Sequence, residues 1–233
     1  MLDLRRFDVI SFDCYGTLID WETGILNALR PVRDAANFRT SDDETLELYA
    51  LLESTLESGE YRRYRDVLRS VTRGIVQRFE VPPETLDADA LGDSLGQWPP
   101  FPDTIESLKR LKQHKKLAIV SNTDDDLFAQ TARVLKVPFD FVITAEQVGA
   151  YKPSHRNFER ALEVMGVAKD RWLHAAQSRF HDIAPARDLG ISCVWVNRRH
   201  DKPGESATAL SAAQPDLEVP DLKTLADLVE KSA

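Results

Sequence analysis

Four polar stretches, far apart in the chain, carry the residue types that nucleophilic chemistry needs. Asp13 closes the run Phe7-Asp8-Val9-Ile10-Ser11-Phe12 and is followed by Cys14-Tyr15-Gly16-Thr17-Leu18. A carboxylate can attack an electrophile and form an ester that water then cleaves, provided a cation holds it ionised and oriented. Lys152 is the candidate cation. Ser121 and Asn122 offer a hydroxyl and an amide for a substrate anion or a leaving group, assisted by backbone N–H groups from Cys14 to Thr17. In the stretch Ser178 to Asp182, Asp182 can align or activate a water, with His181 beside it as a proton carrier.

These side chains form a site only if the elements beneath them bring them together. The apolar run ending at Phe12 predicts a buried strand with Asp13 at its carboxyl end. From Trp21 to about Gly96 the pattern turns helical, with Leu46, Leu48, Tyr49, Leu52, Leu56 and then Val67, Leu68, Val71, Ile75, Val76, Phe79 at spacings of three and four. The proline-rich Trp98-Pro99-Pro100-Phe101-Pro102 reads as the connector that returns from an inserted helical unit. Residues 1–20 and 99–233 are therefore expected to form one domain and 21–98 a second.

Beyond Asp103, helices and strands alternate. Strands are predicted at Lys116–Val120, Phe139–Thr144, Trp172–Ala176 and Ser192–Val196, and helices around Ile105–Leu111, Leu127–Leu135, Phe158–Met165, Ile183–Leu189 and Leu222–Val229. Residues 204–215 read as a polar loop. Such alternation implies crossovers and a parallel sheet. Asp13, Ser121 and Asn122, Lys152, and Ser178 to Asp182 then follow successive strands and share one sheet edge, where open α/β sheets bind ligands. Asp124-Asp125-Asp126 reads as the acidic first turn of the next helix, and Tyr61 to Arg65 as a solvated helix face.

Composition narrows the function classes. The 233 residues carry 38 acidic and 30 basic side chains, a formal net charge of -8, with no long basic block, so nucleic acid and anionic membrane surfaces are not expected partners. Two cysteines, Cys14 and Cys193, have no metal-ligand spacing and suit a reducing compartment. With no apolar run of membrane-spanning length and no signal-like N-terminus, a cytoplasmic location is expected.

Phe12-Asp13-Cys14-Tyr15-Gly16-Thr17-Leu18, Ser121-Asn122, Tyr151-Lys152-Pro153 and His181-Asp182 occur in the order and spacing that resemble the haloacid dehalogenase superfamily. The resemblance spans nearly the whole chain and implies an α/β fold: a Rossmann-like parallel sheet core with an inserted α-helical cap domain at 21–98. Within that superfamily, phosphatases usually carry an aspartate two residues after the nucleophile and use magnesium. Here the position is Tyr15, whose unperturbed pKa of about 10 does not suit proton exchange at neutral pH. The Asp-x-Tyr-Gly-Thr pattern instead resembles L-2-haloacid dehalogenases, which need no metal: the aspartate displaces halide at C2 with inversion and water attacks the ester carbonyl carbon.

Carried over position by position, the resemblance makes Asp13 the nucleophile and Thr17 and Lys152 its orienting partners. Ser121 becomes a ligand of the substrate carboxylate, Asn122 falls to the departing halide and Asp182 to the hydrolytic step. Cys14, Tyr15, Ser178 and Arg179 complete the implied substrate-binding set, with the Cys14 side chain itself expected to pack inward as a small apolar residue. Phe158, Gln177 and Arg179 stand where the dehalogenases have tyrosine, serine and asparagine, and residues 49–53 lack their halide-binding arginine, for which Arg62, Arg63 or Arg65 would have to substitute. The implied partner is a small anionic molecule, without a cofactor, and a homodimer is compatible. Two other readings are a magnesium-dependent phosphatase, with the ion on Asp182, and a binding protein without turnover.

Overall fold

A computed structural model of the chain describes residues 2–36, 40–200 and 211–232. Six strands, β1 (Val9–Phe12), β2 (Lys116–Ser121), β3 (Phe141–Thr144), β4 (Trp172–Ala176), β5 (Ser192–Val196) and β6 (Leu217–Val219), form one sheet in the order β3-β2-β1-β4-β5-β6, every pair parallel. β1 and β4 are buried at every position because helices cover both faces, which is why they read as continuous apolar runs. The chain builds β2 and β3 on one side of β1 and then crosses to β4 on the other. Asp13 leaves the sheet at that reversal, the switch point where such folds leave a crevice.

The expected strands are present, with β3 beginning at Phe141 rather than Phe139. β6 was not expected: three residues at the sheet edge are too few to show a period. Of the expected polar loop, residues 204–210 lie outside the described residues, and 211–215 form no helix or strand.

Between β1 and β2 the chain is helical: α1 (Trp21–Ala28), α2 (Arg30–Ala35), α3 (Asp42–Glu57), α4 (Tyr64–Arg78) and α5 (Ala90–Ser94). Ser41 opens α3 with a capping box closed by Glu44. Val67, Leu68, Val71, Ile75 and Val76 bury one stripe of α4, as their spacing requires. The helices flanking the sheet are α6 (Thr104–Lys112), α7 (Asp125–Leu135), α8 (Ala145–Val148), α9 (His155–Met165), α10 (Ala184–Asp188) and α11 (Leu222–Ser232). Among the described residues no helix is long and apolar enough to cross a membrane.

Asp124 corrects the expectation for the acidic triplet. Only Asp125 and Asp126 lie in the first turn of α7. Asp124 is fully buried, and its two oxygens accept the backbone N–H groups of Tyr64 (2.9 Å) and Arg65 (3.0 Å) at the start of α4. Its carboxylate caps a helix 60 residues away in sequence and fixes the helical insertion to the sheet. Arg63 adds ion pairs to Asp124 (3.6 Å), Asp126 (2.8 Å) and Glu146 (3.4 Å).

Candidate active site

Four sheet-edge segments meet around Lys152. Asp13 directly follows β1, and its N–H still reaches Ala175 O on β4 (3.2 Å). The chain then turns through Gly16 at φ +89°, where a Cβ would press on the Trp21 indole at 3.0 Å. That turn brings the Thr17 hydroxyl back to donate to Asp13 Oδ2 (2.9 Å), while Thr17 Oγ1 accepts from the Gln177 N–H (2.9 Å). From the far side of β2, Lys152 donates to Asp13 Oδ1 (2.8 Å), Asp182 Oδ1 (2.7 Å) and Val120 O (2.9 Å). An ammonium has three protons, and all three are used.

Asn122 explains how Lys152 is held. Its Oδ1 accepts the Lys152 N–H (2.7 Å) and its Nδ2 donates to Lys152 O (3.1 Å), bracketing that backbone unit. Nδ2 also donates to Glu57 (3.2 Å), so the amide expected to meet a departing halide already faces two acceptors. Asp182 sits in a single π-helical turn, Arg179–Ile183, that follows Ser178. Ser178 caps this turn, its Oγ accepting from the His181 N–H (3.0 Å).

His174 is a buried polar neighbour of Asp182 that the sequence reading missed. Its Nε2 meets Asp182 Oδ1 (2.9 Å) and its Nδ1 meets Ser11 Oγ (2.7 Å), which in turn accepts from Trp172 Nε1 (2.6 Å). With Nε2 donating to the carboxylate and Nδ1 accepting the Ser11 proton, both nitrogens of this buried ring have partners. A polar residue in the middle of a central strand was the available signal, since it must find a buried partner.

Charge is concentrated here. Burial raises the Asp13 carboxyl above the ordinary range, opposed by the Lys152 ammonium, and Asp182 adds to the rise. Asp182 moves the other way: burial opposes ionisation, but Lys152 and His174 together lower it. Burial also works against the Lys152 charge, and the two carboxylates outweigh it. His181 is lowered to about 4 by burial and is neutral at pH 7. Burial pushes the Tyr15 phenol well above its usual value, and its oxygen is hydrogen-bonded to Thr131 Oγ1 (2.9 Å), so it keeps its proton.

The cavity beside Asp13 is small, about 40 Å³, room for roughly three water-sized groups. Asp13, Tyr15, Ser121, Asn122, Lys152, Ser178, His181 and Asp182 line it from the sheet edge; Trp21, Glu53, Glu57 and Tyr64 line it from the helical insertion. Ser121 Oγ and Asp182 Oδ2 are buried without a hydrogen-bond partner among the described residues. Among those residues, too, no group of three or more His, Cys, Asp or Glu side chains could hold a metal ion.

Several expected residues lie elsewhere. Arg179 does not reach the cavity: its guanidinium donates to Ala213 O (2.8 and 3.0 Å) and lies 4.9 Å from the Trp195 ring centre. The Cys14 side chain is buried in the apolar core, as a small apolar residue beside Asp13 is expected to be, and does not line the cavity. None of Arg62, Arg63 and Arg65 lines the cavity; Arg63 and Arg65 are engaged with the acids Asp124, Asp126, Glu146 and Asp93. Tyr61 to Arg65 is not one helix face either, since α4 begins only at Tyr64. Phe158 is buried behind the sheet edge, its ring 5.2 Å from that of His174.

The family profile of haloacid dehalogenase-like hydrolases matches residues 7–190. (S)-2-haloacid dehalogenase H-109 of Pseudomonas putida is 29% identical over 229 residues, covering 96% of this chain and 98% of its own. The (S)-2-haloacid dehalogenase of Pseudomonas sp. strain YL is 28% identical over 232 residues, covering 96% and 95%. A solved L-2-haloacid dehalogenase from Xanthobacter autotrophicus with chloropropionic acid covalently bound superposes with a TM-score of 0.79 at 22% identity, covering 97% of this chain and 100% of that one, a likeness of fold. With its parallel sheet and a match over most of its length, the chain belongs to the haloacid dehalogenase-like hydrolases.

Proposed function

We propose that the protein hydrolyses short 2-haloalkanoic acids to 2-hydroxyacids and halide through an ester on Asp13. The observation that carries this reading is the buried Asp13–Lys152–Asp182 set. Lys152 and Thr17 fix the Asp13 carboxylate, which also faces the cavity. In the first step an Asp13 oxygen bonds to C2 from the side opposite the halogen, and the carbon–halogen pair leaves with the halide. Ser121 Oγ, buried and unpartnered, receives the substrate carboxylate.

In the second step, water attacks Asp13 Cγ and the bond from Cγ to the hydroxyacid oxygen breaks; one proton of the water ends on that oxygen, the other is carried off, and Asp13 is restored as carboxylate. Asp182 Oδ2 has free lone pairs to orient that water, and neutral His181 accepts its proton. The names of the full-length relatives support the same chemistry. The Lys152 ammonium engages both carboxylates that a divalent cation would need, so the reaction is read as metal-independent. In this reading residues 1–20 and 99–233 form the core domain, and 21–98 is the cap that closes over the substrate. The two cysteines are free and buried, which suits the cytoplasm.

The test is halide release from (S)-2-chloropropionate in the presence of EDTA, with the lactate configuration read on a chiral column. Inverted lactate is expected from the wild type, and a loss of at least about ten-thousandfold from Asp13→Asn. Activity abolished by EDTA and restored by magnesium would sink the proposal.

A further inference from the structure

The wall facing Asp13 is acidic. Tyr49, Glu53 and Glu57 stand four residues apart on α3 and so share one face. Glu53 and Glu57 line the cavity, and Tyr49, fully buried, lies one turn before Glu53. Glu53 is buried, and one of its oxygens accepts both the Tyr49 hydroxyl (2.8 Å) and the Tyr64 hydroxyl (2.5 Å). Among the described residues, Glu57 accepts only the Asn122 amide, at 3.2 Å. The cavity lining therefore holds four carboxyl groups, on Asp13, Glu53, Glu57 and Asp182, against one lysine. That lysine is committed to Asp13 and Asp182, which leaves the two glutamates without a cation among the lining residues.

On the opposite wall, Ser121 Oγ is buried and unpartnered and lines the same cavity, an independent sign that a polar ligand group belongs there. A plain haloacid would satisfy Ser121 and present nothing to the glutamates. We propose that Glu57, backed by Glu53, selects a positively charged group, so that the preferred substrate is a short 2-haloacid that also carries an ammonium. This rests on the dehalogenase reading and narrows its substrate class. The substrate carboxylate sits on Ser121, C2 faces Asp13, and the ammonium meets Glu57. Burial raises both glutamates, Glu53 to about 7, so without a ligand they hold their protons more readily, and an arriving cation favours the ionised form and draws the proton off as it binds.

Two paired measurements on the full chain test this. Calorimetric binding of propionate and 3-aminopropionate compares the same chain length with and without the ammonium and needs no turnover. Tighter binding of 3-aminopropionate, by at least about tenfold, is expected, and Glu57→Gln or Glu53→Gln should shrink that gap without weakening propionate. Equal binding, no binding of either compound, or a gap that survives in both variants overturns the inference. Halide release from 2-chloropropionate and 3-amino-2-chloropropionate reads the chemistry separately. A kcat/KM favouring the amino compound supports the inference, and one favouring 2-chloropropionate overturns it. Release from neither, with the binding gap intact, refutes the dehalogenase reading while keeping the cation preference.

Discussion

Lys152 is the residue on which the site turns. Buried and bonded to two buried carboxylates, it is a charge that only its partners make tolerable. Lys152→Met, close in length but without charge, leaves Asp13 and Asp182 facing each other uncompensated. Urea unfolding should show a loss of about 3–5 kcal/mol. Halide release should fall at least about a hundredfold, and wild-type stability in this variant would show that the ion set contributes nothing. Asp13, Ser121, Lys152 and Asp182 were legible in the sequence because each follows a recognisable strand, so topology alone puts them at one edge. Glu53 was not. On an amphipathic helix a glutamate reads as solvent-facing, yet Glu53 falls on the stripe of Leu46 and Tyr49, both buried, and that position was the overlooked sign. Arg179 erred the other way: its place in the motif suggested substrate, while its side chain packs on Trp195.

At the scale of elements, the joint between α4 and the sheet depends on one carboxylate. Asp124 serves two N–H groups of α4, and Tyr151 adds its hydroxyl to Arg62 O (2.8 Å) from the loop that carries Lys152. The same region thus delivers Lys152 and holds the helices over it. Asp124→Ala should cost about 1–2 kcal/mol and should speed hydrogen exchange at the Tyr64 and Arg65 amides more than elsewhere in α4. Unchanged exchange at those two amides would place the joint elsewhere. The strands and long helices were readable from apolar period, whereas this cap was hidden, because a residue that caps a distant helix looks like one that caps its own. β6 escaped for a plainer reason, being three residues at an edge.

For the whole molecule, the acidic wall of the cavity leaves a mark on stability. A carboxyl raised on folding favours the folded state most when protonated. The contribution of Glu53 is therefore fully present below its unfolded value near 4.5 and is lost as pH rises to about 7. Glu53→Gln, which cannot ionise, should gain stability relative to the wild type between pH 5 and pH 8, by on the order of 2–3 kcal/mol in chemical denaturation. A difference that does not change with pH would mean that Glu53 is ionised throughout. The insertion and the sheet edge enclose the cavity together, so both halves of the fold bear on one chemical claim, that Asp13 is the nucleophile. Turnover of 2-chloropropionate in oxygen-18 water, followed by mass analysis of the peptide containing Asp13, tests that claim most directly. An ester on Asp13 predicts heavy oxygen in its carboxylate after many turnovers and unlabelled lactate in the first. Labelled lactate from the first turnover, with Asp13 unlabelled, would show that water attacks the substrate itself.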